Sequence, residues 1–283
     1  MPDCTVRTMR RDEIALAVQL AADEGWNPGL HDAHCFAEAD PDGYLIAEVD
    51  GRLAGCLSAV SYGGRFGFIG LYIVVPEWRG HGIGWRMWTQ GMQRLAGHLV
   101  GLDGVPAQQD NYRKSGFVLA WQNVRYGGTA RHGAVPATTG TIVPLGDVDF
   151  NVLSADDLRV FPAPRERFLR AWIKTPDAAG LACVQDGQLA GWGLIRRCRE
   201  GHKIGPLVAD SRTVATALYT GLCNSVPDGD AVYLDVPLPN IEAVALAESY
   251  GMHGVFETAR MYTGAAPPCE LDRVFGITTF ELG

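Results

Sequence analysis

The 283-residue sequence lacks several features that define large classes of protein, and each absence narrows its possible functions. Its formal net charge is −8 at pH 7, so it has no basic excess of the kind that neutralises phosphates in nucleic-acid-binding proteins. No apolar run approaches the length of a membrane span, and no apolar signal segment follows Met1. We therefore expect no nucleic-acid partner, no membrane association and a cytoplasmic location.

The seven cysteines are scattered, and none belongs to a C-x-x-C pair. An odd count without repeated spacing argues against a disulfide framework, and isolated cysteines favour buried thiols in a reducing compartment. His31 and His34 share one face of a predicted helix, but a surface helix explains this spacing better than a metal site does. We therefore expect no metal.

Apolar periodicity divides the chain into two halves with a similar order of predicted elements. The first half reads as a strand, two helices, a three-strand meander, a helix, a strand, a helix and a strand. Both meanders contain D-G-x-L-A-G, at Asp50–Gly55 and at Asp186–Gly191. Asp-Gly between apolar runs is a hairpin signal, so this motif alone could be a common turn. The matching element order favours an internal duplication.

Between the halves, a segment that starts at Gly127-Gly128 and ends at Gly140 is rich in Gly, Ala, Thr and Pro. This composition is typical of a linker. The sequence therefore predicts an N-terminal domain over residues 1–128, a linker over 129–140 and a C-terminal domain over 141–283.

The stretch from Leu71 to Gly84 is a strand followed by a loop with three glycines and a helix. Glycines at a helix N-terminus let backbone N–H groups point into one concavity, which suits a pyrophosphate. Arg79 could add positive charge to this cradle. A Walker loop would need Gly-Lys-Ser/Thr, but Trp85 follows Gly84. The G-x-G-x-G spacing after a meander also fits a dinucleotide fingerprint poorly.

The pattern V-x-P-x-x-R-G-x-G-I-G, which runs from Val74 to Gly84, resembles motif A of the GNAT acyltransferase superfamily. A second signature of that family, Tyr-x-x-x-Gly-Phe, is present from Tyr112 to Phe117. The resemblance implies an α/β protein of the α+β type with two tandem GNAT folds. Each fold would be a mixed, mostly antiparallel central sheet flanked by helices.

The same resemblance implies acetyl-CoA as cofactor and CoA as product. Strand residues would pair with the pantetheine arm and polarise the thioester carbonyl; these residues are Tyr72, Ile73 and Val74. Loop residues would hold the pyrophosphate; these are Arg79, Gly80, His81, Gly82, Ile83 and Gly84. Tyr112 falls where family members place the general acid. A thiol with a reference pKa of about 8.5 leaves better when it is protonated, and a nearby phenol can supply the proton.

An amine acceptor must lose a proton, because an alkylammonium titrates near about 10.4. The predicted strands at 66–75 and 98–102 contain no carboxylate. Other candidate bases are Glu24, His31, Asp32, His34, Asp103 or a residue of the second half. Asp235 matches a position that serves as base in some family members, with the capping of a turn as the alternative role.

In the second half, the segment equivalent to the glycine-rich loop runs from Gly205 to Thr213 and lacks the glycines. Asp210 would repel a pyrophosphate there, and Ala247 occupies the place that Tyr112 holds in the first half. The resemblance therefore predicts a degenerate second GNAT domain, which either contributes to the acceptor site or only packs against the first domain.

These patterns predict an N-acetyltransferase that moves an acetyl group from acetyl-CoA to a primary amine by direct attack in a ternary complex. The acceptor would be a small-molecule amine or a protein amine, and an oligomer is possible. The lack of an obvious base keeps a non-catalytic acetyl-CoA sensor as the alternative. A different acyl donor, or a thiol or hydroxyl acceptor, is a third interpretation.

Overall fold

The strands and helices follow each other in the order that the sequence predicts, with additions that include β7, α5 and β13. The structure, a computed structural model, describes residues 4–283. Its strands are β1 Cys4–Thr8, β2 Tyr44–Val49, β3 Arg52–Tyr62, β4 Phe66–Val74, β5 Leu99–Gly104, β6 Val118–Thr129, β7 Thr141–Pro144, β8 Ala178–Gln185, β9 Gln188–Arg197, β10 His202–Ala209, β11 Ala231–Pro237, β12 His253–Tyr262 and β13 Val274–Gly276.

The helices of the described residues are α1 Ile14–Asp23, α2 Asp32–Ala39, α3 Ile83–Arg94, α4 Gln109–Lys114, α5 Phe150–Val160, α6 Glu166–Trp172, α7 Arg212–Cys223 and α8 Ile241–Ser249. Along residues 4–283, no helix combines the length and the apolar character that crossing a bilayer requires. The helices instead cover the sheet and bury their apolar sides against it.

The repeated D-G-x-L-A-G motif forms the same turn in both halves. Asp50 and Gly51 have φ angles of 49° and 75° between paired strands β2 and β3. Asp186 and Gly187 have φ angles of 51° and 77° between β8 and β9. Two positive φ angles are what a two-residue type I′ hairpin requires, and Asp-Gly is a favoured sequence for it. The two predicted hairpins are therefore confirmed.

One mixed sheet joins the two halves of the chain. Its order is β1-β2-β3-β4-β5-β12-β6-β11-β10-β9-β8-β7, and β13 pairs with β10 off this path. All pairs are antiparallel except β4 with β5 and β10 with β11. β12 of the second half lies between β5 and β6, and β6 of the first half pairs with β11 of the second half. Each half of the sheet is thus completed by a strand from the other half.

Strand β6 extends into the segment that the sequence predicts to be a linker. Gly127 and Gly128 belong to β6, which pairs with β11 as far as Thr129. A side chain at Gly128 would place its Cβ 2.9 Å from Cγ of Met252, so the glycine lets the strand pass beneath that side chain. The boundary predicted at residue 128 therefore falls inside a strand. Residues 130–140 contain no helix or strand.

Side chains from both halves share one apolar core. α1 and α2 pack with α5 and α6, and the rings of Phe36 and Trp172 stack with centroids 6.4 Å apart. A buried ion pair crosses the same boundary, because Arg196 Nε donates to Asp32 Oδ1 at 2.9 Å. The halves are therefore joined by apolar and charged contacts as well as by the sheet.

Candidate active site

A cavity opens where β4 and β5 separate. These parallel strands pair only from Phe66 to Ile69 on β4 and from Leu99 to Leu102 on β5. Beyond that point β5 pairs on its other side with β12, so the edge of β4 from residue 70 to 74 faces no strand within residues 4–283. A cavity of about 410 Å³ fills the gap, with walls from both halves. Unpaired strand edges leave backbone N–H and C=O groups free for a ligand.

β4 is bulged along this wall. Two of its residues, Leu71 and Tyr72, oppose the single residue Leu57 of β3. Leu71 has a φ of 46°, a conformation that costs a non-glycine residue about 1–3 kcal/mol. The Cys56 thiol donates to the Leu71 carbonyl oxygen at 3.1 Å and stabilises the bulge. The predicted strand residues all line the cavity; these are Tyr72, Ile73 and Val74.

The glycine-rich loop leaves the N-terminus of α3 open. Gly82 precedes the helix with a φ of 78°, and no side chain caps this end. The N–H groups of Gly80, His81 and Gly82 donate no hydrogen bond to any group of residues 4–283. Arg79 lines the cavity mouth, where its Nε donates to Val74 O at 2.9 Å. Free N–H groups at a helix N-terminus form a site that suits a phosphate.

Tyr112 projects from α4 into the same cavity. Its ring packs against Trp88, with centroids 5.5 Å apart, and Trp88 packs in turn against Tyr72. Burial, together with the nearby Tyr72 hydroxyl, raises the pKa of Tyr112 to about 12. The phenol is therefore protonated at neutral pH and can donate a proton.

Two of the carboxylates proposed as bases line the cavity, but arginines bind both. Glu24 pairs with Arg79 at the mouth. Asp103 accepts two hydrogen bonds from Arg260, at 2.7 and 2.6 Å. Burial raises the pKa of Asp103, and the Arg260 charge only partly opposes this effect. Both carboxylates thus have a fixed partner that competes with an acceptor amine.

The other candidates lie outside the cavity lining. Asp235 accepts hydrogen bonds from Arg125 at 2.7 and 2.9 Å, and both side chains are buried. Burial opposes ionisation of Asp235, but the Arg125 charge and hydrogen bonds prevail and lower its pKa. Asp32 pairs with Arg196, as described above. His31 faces Asp177 at 3.2 Å on the surface, and His34 is exposed.

No motif in the sequence pointed to the segment 277–283, which is buried at the junction of the halves. Phe280 and Glu281 of this segment line the cavity. The Glu281 backbone packs on Gly70 of β4 so closely that a Cβ at Gly70 would lie 2.1 Å from Glu281 O. The only local signal is an acidic residue between apolar ones, which is equally typical of an ordinary half-buried strand.

The N-terminus of α7 differs from that of α3. Ser211 caps it, since the Ser211 side chain accepts from Val214 N at 3.3 Å. The adjacent Asp210 accepts from Arg273 Nε at 2.6 Å. A ligand phosphate would have to displace the serine and approach a carboxylate at this end of the helix.

Both halves match known proteins. Residues 11–117 match the acetyltransferase (GNAT) family, and residues 154–276 match an acetyltransferase (GNAT) domain. Over 272 residues the chain is 29% identical to holothin acyltransferase of Pseudoalteromonas sp. (strain SANK 73390), an alignment that spans 96% of this chain and 92% of that protein.

Two crystal structures share the fold. One is a proposed acetyltransferase from Pyrococcus horikoshii. It superposes with a TM-score of 0.82 at 24% identity, and the match covers 99% of this chain and 96% of the other. The second is a tandem GNAT protein from the clavulanic acid biosynthesis pathway, with a TM-score of 0.67 at 15% identity, over 93% and 100% of the two chains. The predicted fold class is thus confirmed. The chain belongs to the GNAT family, and it is an N-acyltransferase built from two GNAT domains in tandem.

Proposed function

We propose that the protein is an N-acetyltransferase that moves an acetyl group from acetyl-CoA to a primary amine by direct attack in a ternary complex. Membership of the GNAT family implies an acyl-CoA donor, and the acetyl group is the proposed acyl chain. The observation that carries the proposal is the cavity itself. There an unpaired strand edge and a protonated phenol meet, and Arg79 of the wall leads to the uncapped N-terminus of α3.

Acetyl-CoA would supply an acyl group activated as a thioester. The unpaired edge of β4 would bind the pantetheine arm through backbone groups of Tyr72, Ile73 and Val74. The open amides at the start of α3 would bind the pyrophosphate, through Arg79, Gly80, His81, Gly82, Ile83 and Gly84. Free N–H groups in the loop support this assignment.

We propose that the second domain binds no donor of its own. The N-terminus of α7 is occupied by the Ser211 cap, and Asp210 adds negative charge beside it. The second domain instead supplies part of the cavity wall, from Phe256 and Thr258 of β12 and from Phe280 and Glu281. Its contribution is therefore to the acceptor side of the site.

The acceptor would meet a wall of Trp26, Phe256 and Phe280, which suits an amine with an apolar or aromatic body. The likeness to holothin acyltransferase adds holothin to the acceptors worth testing. Tyr112 would give its hydroxyl proton to the departing thiolate. Asp235 as base stays a prediction, and its ion pair with Arg125 favours instead a role in fixing that arginine.

Release of CoA thiol from acetyl-CoA, measured with a thiol reagent against a panel of primary amines that includes holothin, tests the proposal. Tyr112→Phe should lower kcat by about 100-fold, because general acids contribute roughly 100- to 10,000-fold, whereas the Kd of acetyl-CoA should change little. Tyr126→Phe, outside the cavity, is the matched control. Binding without turnover by wild type on the whole panel would favour the sensor instead.

A further inference from the structure

Glu281 is a buried carboxylate residue that lines the cavity and forms no direct ion pair within residues 4–283. The residue is only 3% exposed. Its carboxylate accepts the hydroxyl hydrogen of Thr279 and forms no ion pair with any side chain of residues 4–283. Buried carboxylates are normally paired, so an unpaired one beside a cavity points to a charged ligand. Glu24 and Asp103, the other two carboxylates of the wall, are both bound by arginines.

Both domains hold the Glu281 segment in place through its backbone. Ile277 N donates to Asp235 O at 2.9 Å, and the Tyr62 hydroxyl donates to Leu282 O at 3.1 Å. The Glu281 main chain lies directly against Gly70, beside the bulge of β4. The Glu281 main chain is thus fixed next to the part of β4 that lines the cavity, on a segment with hydrogen bonds on both sides of Glu281.

The charge of the cavity wall favours a cationic acceptor. Three carboxylates line it, from Glu24, Asp103 and Glu281, against two guanidinium groups, from Arg79 and Arg125. Of the three carboxylates, Glu281 alone forms no ion pair within residues 4–283. At longer range it also interacts with the buried charges of Arg125, Arg196 and Lys203. A primary amine enters mostly as its ammonium form at neutral pH, so Glu281 offers it both attraction and a proton acceptor.

We infer that Glu281 is the general base of the acyl transfer, supplied to the first domain by the second. The inference rests on the proposed function. The amine nitrogen forms its bond to the acyl carbon while the carbon–sulfur bond breaks. Before this step the Glu281 carboxylate takes one proton from the ammonium and passes it to water. During the step it takes the second proton from the nitrogen, and Tyr112 gives one proton to the leaving sulfur. Exchange with water then restores both side chains, so the net products are an amide, a thiol and one released proton.

Glu281→Gln separates this role from a structural one. Glutamine keeps the shape and can still accept from Thr279, but it cannot take a proton. Glu257→Gln is the matched control, because Glu257 is exposed on β12 and lies outside the cavity wall. Melting temperature and the Kd of acetyl-CoA should match wild type in both variants. Glu281→Asp, which keeps a carboxylate, should retain part of the activity.

The test compares benzylamine, an alkylammonium at neutral pH, with aniline, which is uncharged. For Glu281→Gln we expect kcat to fall about 100-fold with benzylamine and less than about tenfold with aniline, which needs little help to lose its proton. A glutamine variant that acetylates benzylamine at the wild-type rate, or that loses both activities equally, overturns the assignment of Glu281 as base. Neither result would overturn the proposed function. Wild-type protein that acetylates neither amine, nor any other amine of the panel, overturns the proposed function and this inference with it.

Discussion

Replacing Gly70 by alanine tests whether the position of the 277–283 segment controls the reaction. The added Cβ would lie 2.1 Å from Glu281 O and 2.9 Å from its carbonyl carbon, below the 3.0 Å that real Cβ contacts respect. A backbone carbonyl cannot rotate away as the end of a flexible side chain can. The segment must therefore shift by about 1 Å, and Glu281 must shift with it.

The expected size of the effect follows from this overlap. Overpacking a buried position costs about 1–3 kcal/mol, which lowers the melting temperature by about 5 °C at about 2–4 °C per kcal/mol. A displacement of about 1 Å in a reacting group can cost about 100-fold in rate. We therefore expect a modest loss of stability and a much larger loss of kcat/KM with a primary amine.

Thermal melting and the CoA-release assay measure the two effects separately. Gly67→Ala is the control on the same strand, because its Cβ would meet the side chain of Leu95 at 2.8 Å rather than a backbone carbonyl. It should lower the melting temperature while leaving kcat within about threefold of wild type. A Gly70→Ala protein with native activity would refute the placement of Glu281 beside β4.

Two further predictions concern the buried charges and the phenol. Arg125→Met leaves Asp235 buried without its partner, so urea unfolding should show a loss of about 3–5 kcal/mol, and adding Asp235→Leu should restore most of it. An unperturbed tyrosine would lose its proton near about pH 10. Burial and Tyr72 raise the pKa of Tyr112 to about 12, so kcat at saturating substrate should not fall between about pH 8 and pH 10 through loss of this proton.

Local sequence signals predicted most of the secondary structure. Asp-Gly turns require positive φ at adjacent residues, so Asp50-Gly51 and Asp186-Gly187 identified both hairpins. The loop before α3 was predictable for a similar reason, because glycines there permit a backbone that other residues rarely adopt. These features depend on a few consecutive residues, so they can be predicted without knowing the order of the strands in the sheet.

The order of strands could not be predicted in the same way. The first ten residues of β6 and the ten of β12 have the same succession of exposed and buried positions. On this pattern alone, β6 and β12 could exchange places in the sheet. Packing between residues that are distant in sequence places β12 beside β5. Glu281 was missed for the same reason, since nothing near it in sequence indicates that it packs against Gly70.

Calorimetric titration of the protein with acetyl-CoA, for wild type and for Gly82→Asp, tests most directly whether the first domain holds the donor. Gly82 has a φ of 78°, and aspartate there would add strain and place a carboxylate among the free N–H groups of α3. We predict that wild type binds one equivalent of acetyl-CoA per chain and that Gly82→Asp binds none. Ser211→Ala, which changes the corresponding end of α7, should bind acetyl-CoA as wild type does. Two equivalents, or undiminished binding by Gly82→Asp, would contradict the account.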